Sequence, residues 1–499
     1  MTSSRSSHPA DQTQPVTAPT VARRGWLLLV AVAAGVFVAA DDQTSVVTVL
    51  PAIIQHTGIT VDELYRSSWV VNGYLLGYLV ALPVVGRVAD VYGHGRVYAA
   101  ALVVFMLGSA LVALSPTFEL LVASRALQAV GGGAVVPVAM AVVMRELPAH
   151  RRVLGLGAIA AASEAGALVG PLWGGAITEW FGWRWVFWIN LPMALPVLIA
   201  VWRSAGVERR AGSIDWPGAA LLASALAVLT FALVDDPLDG RPLAVTAALG
   251  LVVALLGAGF VLRERWADEP ILRLAMFRPR GVRAANAASL LVGGGLIGAL
   301  IGVPLFVNLV LLESPLDGGL TLLRLTVVVP VGALLGGWLA SRLGLRIVAT
   351  TGCWLVAGGF AGLATWDGAL GEPARTLPQL VAGLGFGLVI APLSAVVMQH
   401  AAEAERATAA AWLTLSRVVG MLLGAALLTS RGLGRFYGRA GSIEFGSPEF
   451  GQLVQSAQVS TFQEVFAAAA VVMAIAGLLA WFVGRGERDG VGEPWWTVT

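Results

Sequence analysis

Charge is scarce in this chain, cysteine nearly absent and lysine missing altogether, and each shortage closes off a class of protein. Charged residues make up 12% of the 499 positions, about half the share that an ordinary soluble domain carries. The single cysteine, Cys353, excludes a disulfide framework and a cysteine-built metal site. With no lysine, all 32 basic side chains are arginines. The histidines, His8, His56, His94, His150 and His400, lie far apart in sequence. No His-Glu-x-x-His helix, serine nucleophile elbow or phosphate loop is present, which argues against an enzyme. A total charge of +2 gives no sign of a nucleic-acid partner.

Hydrophobic residues account for 57% of the chain, and its mean hydropathy is +0.79. They gather into about fourteen stretches, each about long enough to cross a bilayer. The spans fall near 26–49, 67–85, 97–115, 118–144, 153–178, 184–202, 216–234, 243–262, 285–312, 319–341, 346–366, 378–399, 407–430 and 462–484. Backbone in lipid must satisfy its own hydrogen bonds, so spans of this length are helices and the fold class is an all-α membrane protein.

Arginine placement orients the spans. One set of loops holds Arg23, Arg24, Arg87, Arg96, Arg145, Arg151, Arg152, Arg203, Arg263, Arg265, Arg342 and Arg406, among others. The opposite loops hold only Arg66, Arg184, Arg241, Arg375, Arg431, Arg435 and Arg439. The richer set is cytoplasmic by the positive-inside rule, which predicts a multi-pass protein of the cytoplasmic membrane with both termini on the cytoplasmic side. Residues 1–24, polar and rich in Ser, Thr and Pro, read as a disordered cytoplasmic tail, and 485–499 as a cytoplasmic tail.

Gly86-Arg-Val-Ala-Asp90-Val-Tyr-Gly93 has a spacing twin in Gly337-Trp-Leu-Ala-Ser341-Arg-Leu-Gly344. Matching turns in two halves predict a six-helix unit used twice. The expected organisation is a bundle over 25–205, two inserted linker helices with an interfacial segment over 206–284, and a second bundle over 285–484. Trp266, Ile271, Leu272, Leu274 and Phe277 alternate with arginines, which predicts an interfacial helix there. Residues 431–461 read as a long periplasmic loop, with a hairpin around Ser442 to Phe445.

Asp41, Asp42, Arg125, Glu164 and Arg417 fall inside spans. Left unpaired, five such charges would cost roughly 12 to 17 kcal/mol, so they are expected to pair or to face an internal cavity. At about 1.5 Å of rise per residue, Asp42 and Arg125 lie at similar depth below the outer surface, and Glu164 and Arg417 both near the midplane. Each couple is expected to form an ion pair, the second bridging the halves. Asp41 and Asp42 point about 100° apart on a helix, and their repulsion hinders simultaneous ionisation. Asp42 is expected to carry a proton, with Arg125 and Arg417 tuning the carboxylates; permanent ion pairs fixing helix register are the competing explanation. Trp69, Asn72, Tyr74, Trp173, Trp188, Asn308 and Gln399 are the expected cavity lining, sparse in polar groups and suited to a large apolar or amphipathic cargo.

Several of these runs carry a family resemblance. Gly86, Asp90, Gly93 and Arg96 resemble the loop signature of the major facilitator superfamily, although Val91 and His94 stand where the family usually has Arg. Gly166-Ala-Leu-Val-Gly170-Pro171-Leu-Trp-Gly174-Gly175 resembles that superfamily's proton-antiporter motif. Asp42-Gln-Thr44 through Pro51, Arg125-Ala-Leu-Gln128-Ala-Val-Gly131 and Trp183 through Pro192 resemble its fourteen-helix drug:proton antiporter branch. Trp69-Val-Val-Asn-Gly-Tyr74-Leu-Leu-Gly-Tyr78 is similar to the triacylglyceride-exporting facilitators of mycobacteria. The resemblance implies the major facilitator fold and alternating-access export driven by a proton gradient, with no cofactor or metal. It also implies a lipid or hydrophobic substrate, a periplasmic lipoprotein partner and drug resistance as a secondary trait. A multidrug:proton antiporter without a lipid role, and a sensor that binds ligand without flux, stay open.

Overall fold

The computed structural model describes residues 18–57, 69–204, 213–233, 242–369, 371–428 and 450–484. Among them there is no β-strand. The first set of helices comprises α1 (Ala18–Thr57), α2 (Trp69–Tyr92), α3 (His94–Leu114), α4 (Phe118–Glu146), α5 (Ala149–Phe181), α6 (Arg184–Trp188) and α7 (Asn190–Ser204). Two linker helices follow, α8 (Trp216–Leu233) and α9 (Leu243–Trp266). The second set is α10 (Arg280–Leu309), α11 (Pro315–Thr326), α12 (Val328–Leu343), α13 (Leu345–Leu363), α14 (Leu377–His400), α15 (Arg406–Leu427) and α16 (Phe450–Ala480). Short α6 and α7 share one membrane crossing, as do α11 and α12, so the described residues contain 14 helical segments long and apolar enough to span.

Helix limits follow local chemistry. The Thr117 side chain accepts the Leu120 N–H at 3.3 Å and starts α4. Ser314 and Asp317 form a reciprocal cap on α11, with Pro315 in its first turn. Gly93 and Gly344 end α2 and α12 with φ of 94° and 91°, a region open to glycine at little cost. These two glycines are the ends of the repeated eight-residue motif, so the twin spacing in sequence marks twin reversals in space.

Packing repeats in the same way. In the first set α1 packs on α5, and α4 packs on both α2 and α3; in the second, α10 packs on α15, and α14 on both α12 and α13. The sets meet where α2 lies on α15 and α5 on α12. Close approach there depends on the first glycine of each motif. A Cβ on Gly86 would stand 2.7 Å from Thr408 Cα, and one on Gly337 would stand 2.9 Å from the Val153 carbonyl oxygen. Both contacts lie on the arginine-rich side.

The linker helices sit against this frame. Helix α8 packs on α2 and α9, with Phe231 stacked on Trp69 at 6.4 Å between ring centres. Phe260 of α9 stacks on Trp412 of α15 at 6.2 Å, so the linker touches both sets. Leu251, Leu255 and Leu262 of α9 are exposed, an apolar surface that lipid would cover.

Three expectations need correction. Helix α1 begins at Ala18, inside the predicted tail, while residues 1–17 and 485–499 lie outside the described residues. Helix α16 begins at Phe450, so 450–461, expected as loop, are helical. The proposed hairpin at Ser442 to Phe445 lies outside the described residues. Between Trp266 and Arg280 there is no interfacial α-helix, only a single 3-10 turn at Leu274–Phe277. Pro270 and Pro279 interrupt the segment, and Ile271 and Leu272 are buried against the protein.

Candidate functional site

Helices α1, α3, α4 and α7 converge on Asp42. Arg125 Nη1 donates to its Oδ2 at 2.8 Å, and both side chains are fully buried. Gln128, one turn along α4, donates through Nε2 to Asp42 Oδ1 at 2.8 Å and accepts from Arg125 Nη1 at 2.8 Å. Asn190, at the start of α7, donates to the same Oδ1 at 2.6 Å and also to Ser109 Oγ of α3 at 3.0 Å. Ser109 Oγ in turn donates a hydrogen bond to the Phe187 carbonyl oxygen at 2.8 Å. The Arg125 guanidinium lies 4.4 Å from the Tyr74 ring centre and 5.5 Å from that of Phe187. A buried charge survives where its remaining lone pairs are satisfied, and Asp42 meets that condition with three side-chain donors.

Asp41 has a different setting. It is buried on the same turn, yet its Oδ1 is enclosed without a hydrogen-bond partner among the described residues. The α5 glycines seat against the backbone there. A Cβ on Gly166 would meet the Phe37 carbonyl oxygen at 2.3 Å and Asp41 N at 3.0 Å; one on Gly170 would meet Thr44 Oγ1 at 2.2 Å and the Asp41 carbonyl oxygen at 2.5 Å. Gly174 continues the contact at Ser45, whereas a Cβ on Gly175 would meet nothing within 4 Å. Gly175 therefore takes no part in this close approach. Helix α5 runs continuously through half-buried Pro171.

Glu164, on the turn before this glycine stripe, faces Arg417 of α15 at 3.4 Å from Oε1 to Nη1. Both remain partly accessible, at 17% and 22% of their side-chain surface. The pair joins the two helix sets near their midplane. Beside it Ser416 donates to Asn286 Oδ1 at 3.0 Å.

The arginine-rich side is latched by Asp90. Its carboxylate accepts the backbone N–H groups of Ala407 and Thr408, each at 3.0 Å, and the Thr408 hydroxyl at 2.8 Å. Those groups open α15 of the opposite set, whose helix dipole favours an anion. His94 Nε2 lies 3.0 Å from Asp90 Oδ1. Arg96, of the same motif, is half-buried with no ion-pair partner among the described residues. Arg87 instead reaches the linker and pairs with Glu269 at 2.7 Å.

The expected cavity lining does not form one wall. Tyr74 is buried under Arg125 and belongs to the Asp42 cluster. Trp69 stacks on the linker, Asn72 is half-buried on α2, and Asn308 packs beside Gly318 at the turn into α11. Trp173 is partly exposed on α5. A cavity of about 670 Å³ opens elsewhere, among Arg184, Trp185, Trp188, Ile189, Leu191 and Pro192. Of the residues expected to line a cavity, it takes only Trp188. Linear sequence set these residues at compatible depths, but rotation about each helix axis turns them toward different neighbours.

Ser109 was missed from sequence because nothing in its apolar surroundings marks it as a hydrogen-bond relay. Gln128 and Asn190 were visible only as parts of resemblance motifs, although the three-residue spacing of Arg125 and Gln128 puts them on one helix face.

Two helix sets repeated in their contacts, facing each other across buried charges, define a polytopic membrane transporter rather than an enzyme. The family profile of the Major Facilitator Superfamily matches residues 32–425, and the chain belongs to that superfamily. It is 35% identical over 426 residues to the triacylglyceride transporter of Mycolicibacterium hassiacum, covering 82% of this chain and 80% of that one. It is 32% identical over 507 residues to a triacylglyceride transporter of Mycolicibacterium smegmatis, covering 94% and 90%. Among solved structures it is similar to the human organic anion transporter MFSD10, with a TM-score of 0.65, 17% identity and coverage of 91% and 99%. The proton:xylose symporter XylE gives 0.62 at 15% identity, covering 92% and 96%. These last likenesses establish the fold alone.

Proposed function

We propose that the protein is a proton-coupled secondary exporter that moves triacylglycerides or similar large apolar lipids across the cytoplasmic membrane by alternating access. The observation that carries the reading is the Glu164–Arg417 pair, a partly accessible charge contact joining the two helix sets within the membrane-spanning region. A contact of that kind breaks and reforms as the sets rock, and its carboxylate is a natural point at which proton and cargo compete. Similarity to relatives named as triacylglyceride transporters over most of the chain supports a lipid cargo. The excess of arginine on the Asp90 side supports both termini facing the cytoplasm. In that orientation the latch closes the inner side, and a periplasmic lipoprotein receives cargo at the outer side.

Reconstitution into liposomes with an imposed pH gradient tests the reading, with a labelled triacylglycerol and a cationic dye offered side by side. The expected result is gradient-dependent movement of the lipid. Movement of the dye alone would replace this reading with a multidrug antiporter, and binding of lipid without movement of either probe would replace it with a sensor.

A further inference from the structure

We propose that the segment joining α9 to α10 is a strap across the arginine-rich side of the transporter. Its Arg273–Glu405 contact opens and closes in every transport cycle, while its Arg87–Glu269 contact stays made. The inference rests on the alternating-access reading above and adds to it a second closure, separate from the Asp90 latch.

Glu269 and Arg273, four residues apart, fasten the strap to opposite helix sets. Glu269 Oε2 accepts Arg87 Nη2 of α2 at 2.7 Å and the Ser213 N–H, just ahead of α8, at 2.6 Å. The same Arg87 nitrogen donates to the Ser213 carbonyl oxygen at 3.4 Å. Arg273 Nε meets Glu405 Oε1 at 3.1 Å, in the 3-10 turn Glu403–Glu405 that leads into α15. Arg87 follows Gly86, and Glu405 lies two residues before Ala407, so the attachments flank the close contact of α2 with α15.

Between its attachments the strap has no slack. Ile271 and Leu272 are 1% and 3% exposed, and the Leu272 N–H donates to Glu264 Oε2 of α9 at 2.9 Å. Arg263 of α9 donates through Nε and Nη2 to both oxygens of Asp215, which joins the linker helices at this end. Leu272 shares one apolar cluster with Leu79 and Leu82 of α2 and Leu415 of α15. A run of four residues reaches at most about 14 Å when fully extended, so the strap cannot lengthen to follow a wide parting of the helix sets.

Opening on the arginine-rich side carries the start of α15 away from α2, and one attachment must give way. The Arg87 side chain is only 10% exposed, and the carboxylate it meets also holds a backbone N–H. The Arg273 side chain is 59% exposed. Breaking an enclosed pair strands a charge, whereas water takes over an accessible one. Glu405, left behind, caps the start of α15, where the helix dipole favours an anion. Arg273–Glu405 is therefore the contact that opens, and the strap travels with α2. Phe260 and Phe277, with ring centres 6.2 and 6.3 Å from that of Trp412, do not oppose this. Trp412 lies about 10 Å deeper along α15 than Glu405, toward the Glu164–Arg417 pair, where a rocking helix moves less. Apolar faces also slide without a directional bond to break.

The test uses the full chain reconstituted in lipid and carrying Cys353→Ala and Ala407→Cys. Ala407 is fully buried at the α2–α15 contact, so its alkylation reports opening whatever the cargo. Adding Arg273→Gln is expected to speed alkylation about twofold to fivefold, the range that an accessible ion pair supplies. Arg273→Lys keeps the charge and is expected to stay near the parent rate. An equal rise in Arg273→Lys, or no rise in Arg273→Gln while Asp90→Ala speeds the reaction, overturns the strap alone. No rise in either Arg273→Gln or Asp90→Ala refutes the opening on which both closures rest.

Cross-linking identifies the contact that moves. In the Cys353→Ala background, a short bismaleimide joining Arg273→Cys to Glu405→Cys is expected to abolish gradient-driven transport of a labelled triacylglycerol. The same bridge between Arg87→Cys and Glu269→Cys is expected to leave that variant's own rate unchanged. Transport that survives the first bridge, or stops with the second, overturns the assignment. Should the second variant fail to fold, the first bridge and the alkylation rates decide. Should the parent move no lipid, the cargo reading falls and the alkylation rates alone decide the strap.

Discussion

Asp42 and Arg125 meet at 2.8 Å with no solvent contact on either side chain, 83 residues apart in sequence. The pair ties α1 to α4 and, through Gln128 and Asn190, to α7. Because both charges are out of water, each depends on the other far more than a surface pair would.

Removing the cation alone should therefore be expensive. Arg125→Leu leaves Asp42 buried beside two amide donors and is expected to destabilise the protein by about 3–5 kcal/mol. Asp42→Asn sets an amide N–H2 against one of the three donors and leaves Arg125 buried without its anion, so it is expected to cost a similar amount. Thermal unfolding in detergent measures both, and a midpoint unchanged from wild type in either variant would show that this pair does not hold the fold together.

Glu164 and Arg417 should behave as a movable contact rather than a staple. Glu164→Gln and Arg417→Gln are each expected to abolish gradient-driven transport with only small stability losses. A double-mutant cycle on stability should return a coupling on the order of 1 kcal/mol. A coupling several times larger would mark a permanent strut between the helix sets.

Asp90→Ala removes the acceptor of two backbone N–H groups and the Thr408 hydroxyl at the start of α15. It should bias the protein toward opening on the arginine-rich side. Since Cys353 is the sole cysteine, a Cys353→Ala background carrying Ala407→Cys gives a clean reporter, because Ala407 is fully buried at this contact. Alkylation is expected to be faster with Asp90→Ala than without it.

Glu372 lies between α13 and α14, outside the membrane-spanning helices. Hydrogen bonds from Thr376 and Arg324 hold its carboxyl below the ordinary value of 4.5. A lowered value in the folded state means that this contact stabilises above the ordinary value and fades as pH falls through the folded one. Arg324→Gln should therefore lower the unfolding midpoint at neutral pH and bring mutant and wild type together in acid. A gap that stays constant across the acid range would show that Glu372 is not the responsible group.

Much of this protein was readable before any coordinates. Helix spans were legible because hydropathy is a property of local composition, and the predicted limits at 118–144 and 378–399 lie within a few residues of Phe118–Glu146 and Leu377–His400. The depth of Asp42 against Arg125, and of Glu164 against Arg417, followed from a constant rise per residue. Proline placement ruled out an interfacial helix after Trp266, a signal outweighed in the sequence reading by the pattern of apolar residues and arginines.

The cavity was less legible. Tyr74 reads as a cavity residue when only its depth is known, and becomes part of the ion-pair cluster once its rotation toward Arg125 is seen. Ser109 carries no local signal because its role is to orient Asn190, 81 residues away.

Composition and periodicity alone thus determined that the chain lives in lipid, how many times it crosses, and which charges lie at matching depth. Each of these depends on a residue and its near neighbours along a single helix. Only the tertiary structure decided that both oxygens of Asp42 are bonded while Oδ1 of adjacent Asp41 has no partner among the described residues, and that Gly86 and Gly337 close one side. Those outcomes depend on the rotation of each helix about its axis and on the close approach of segments far apart in sequence.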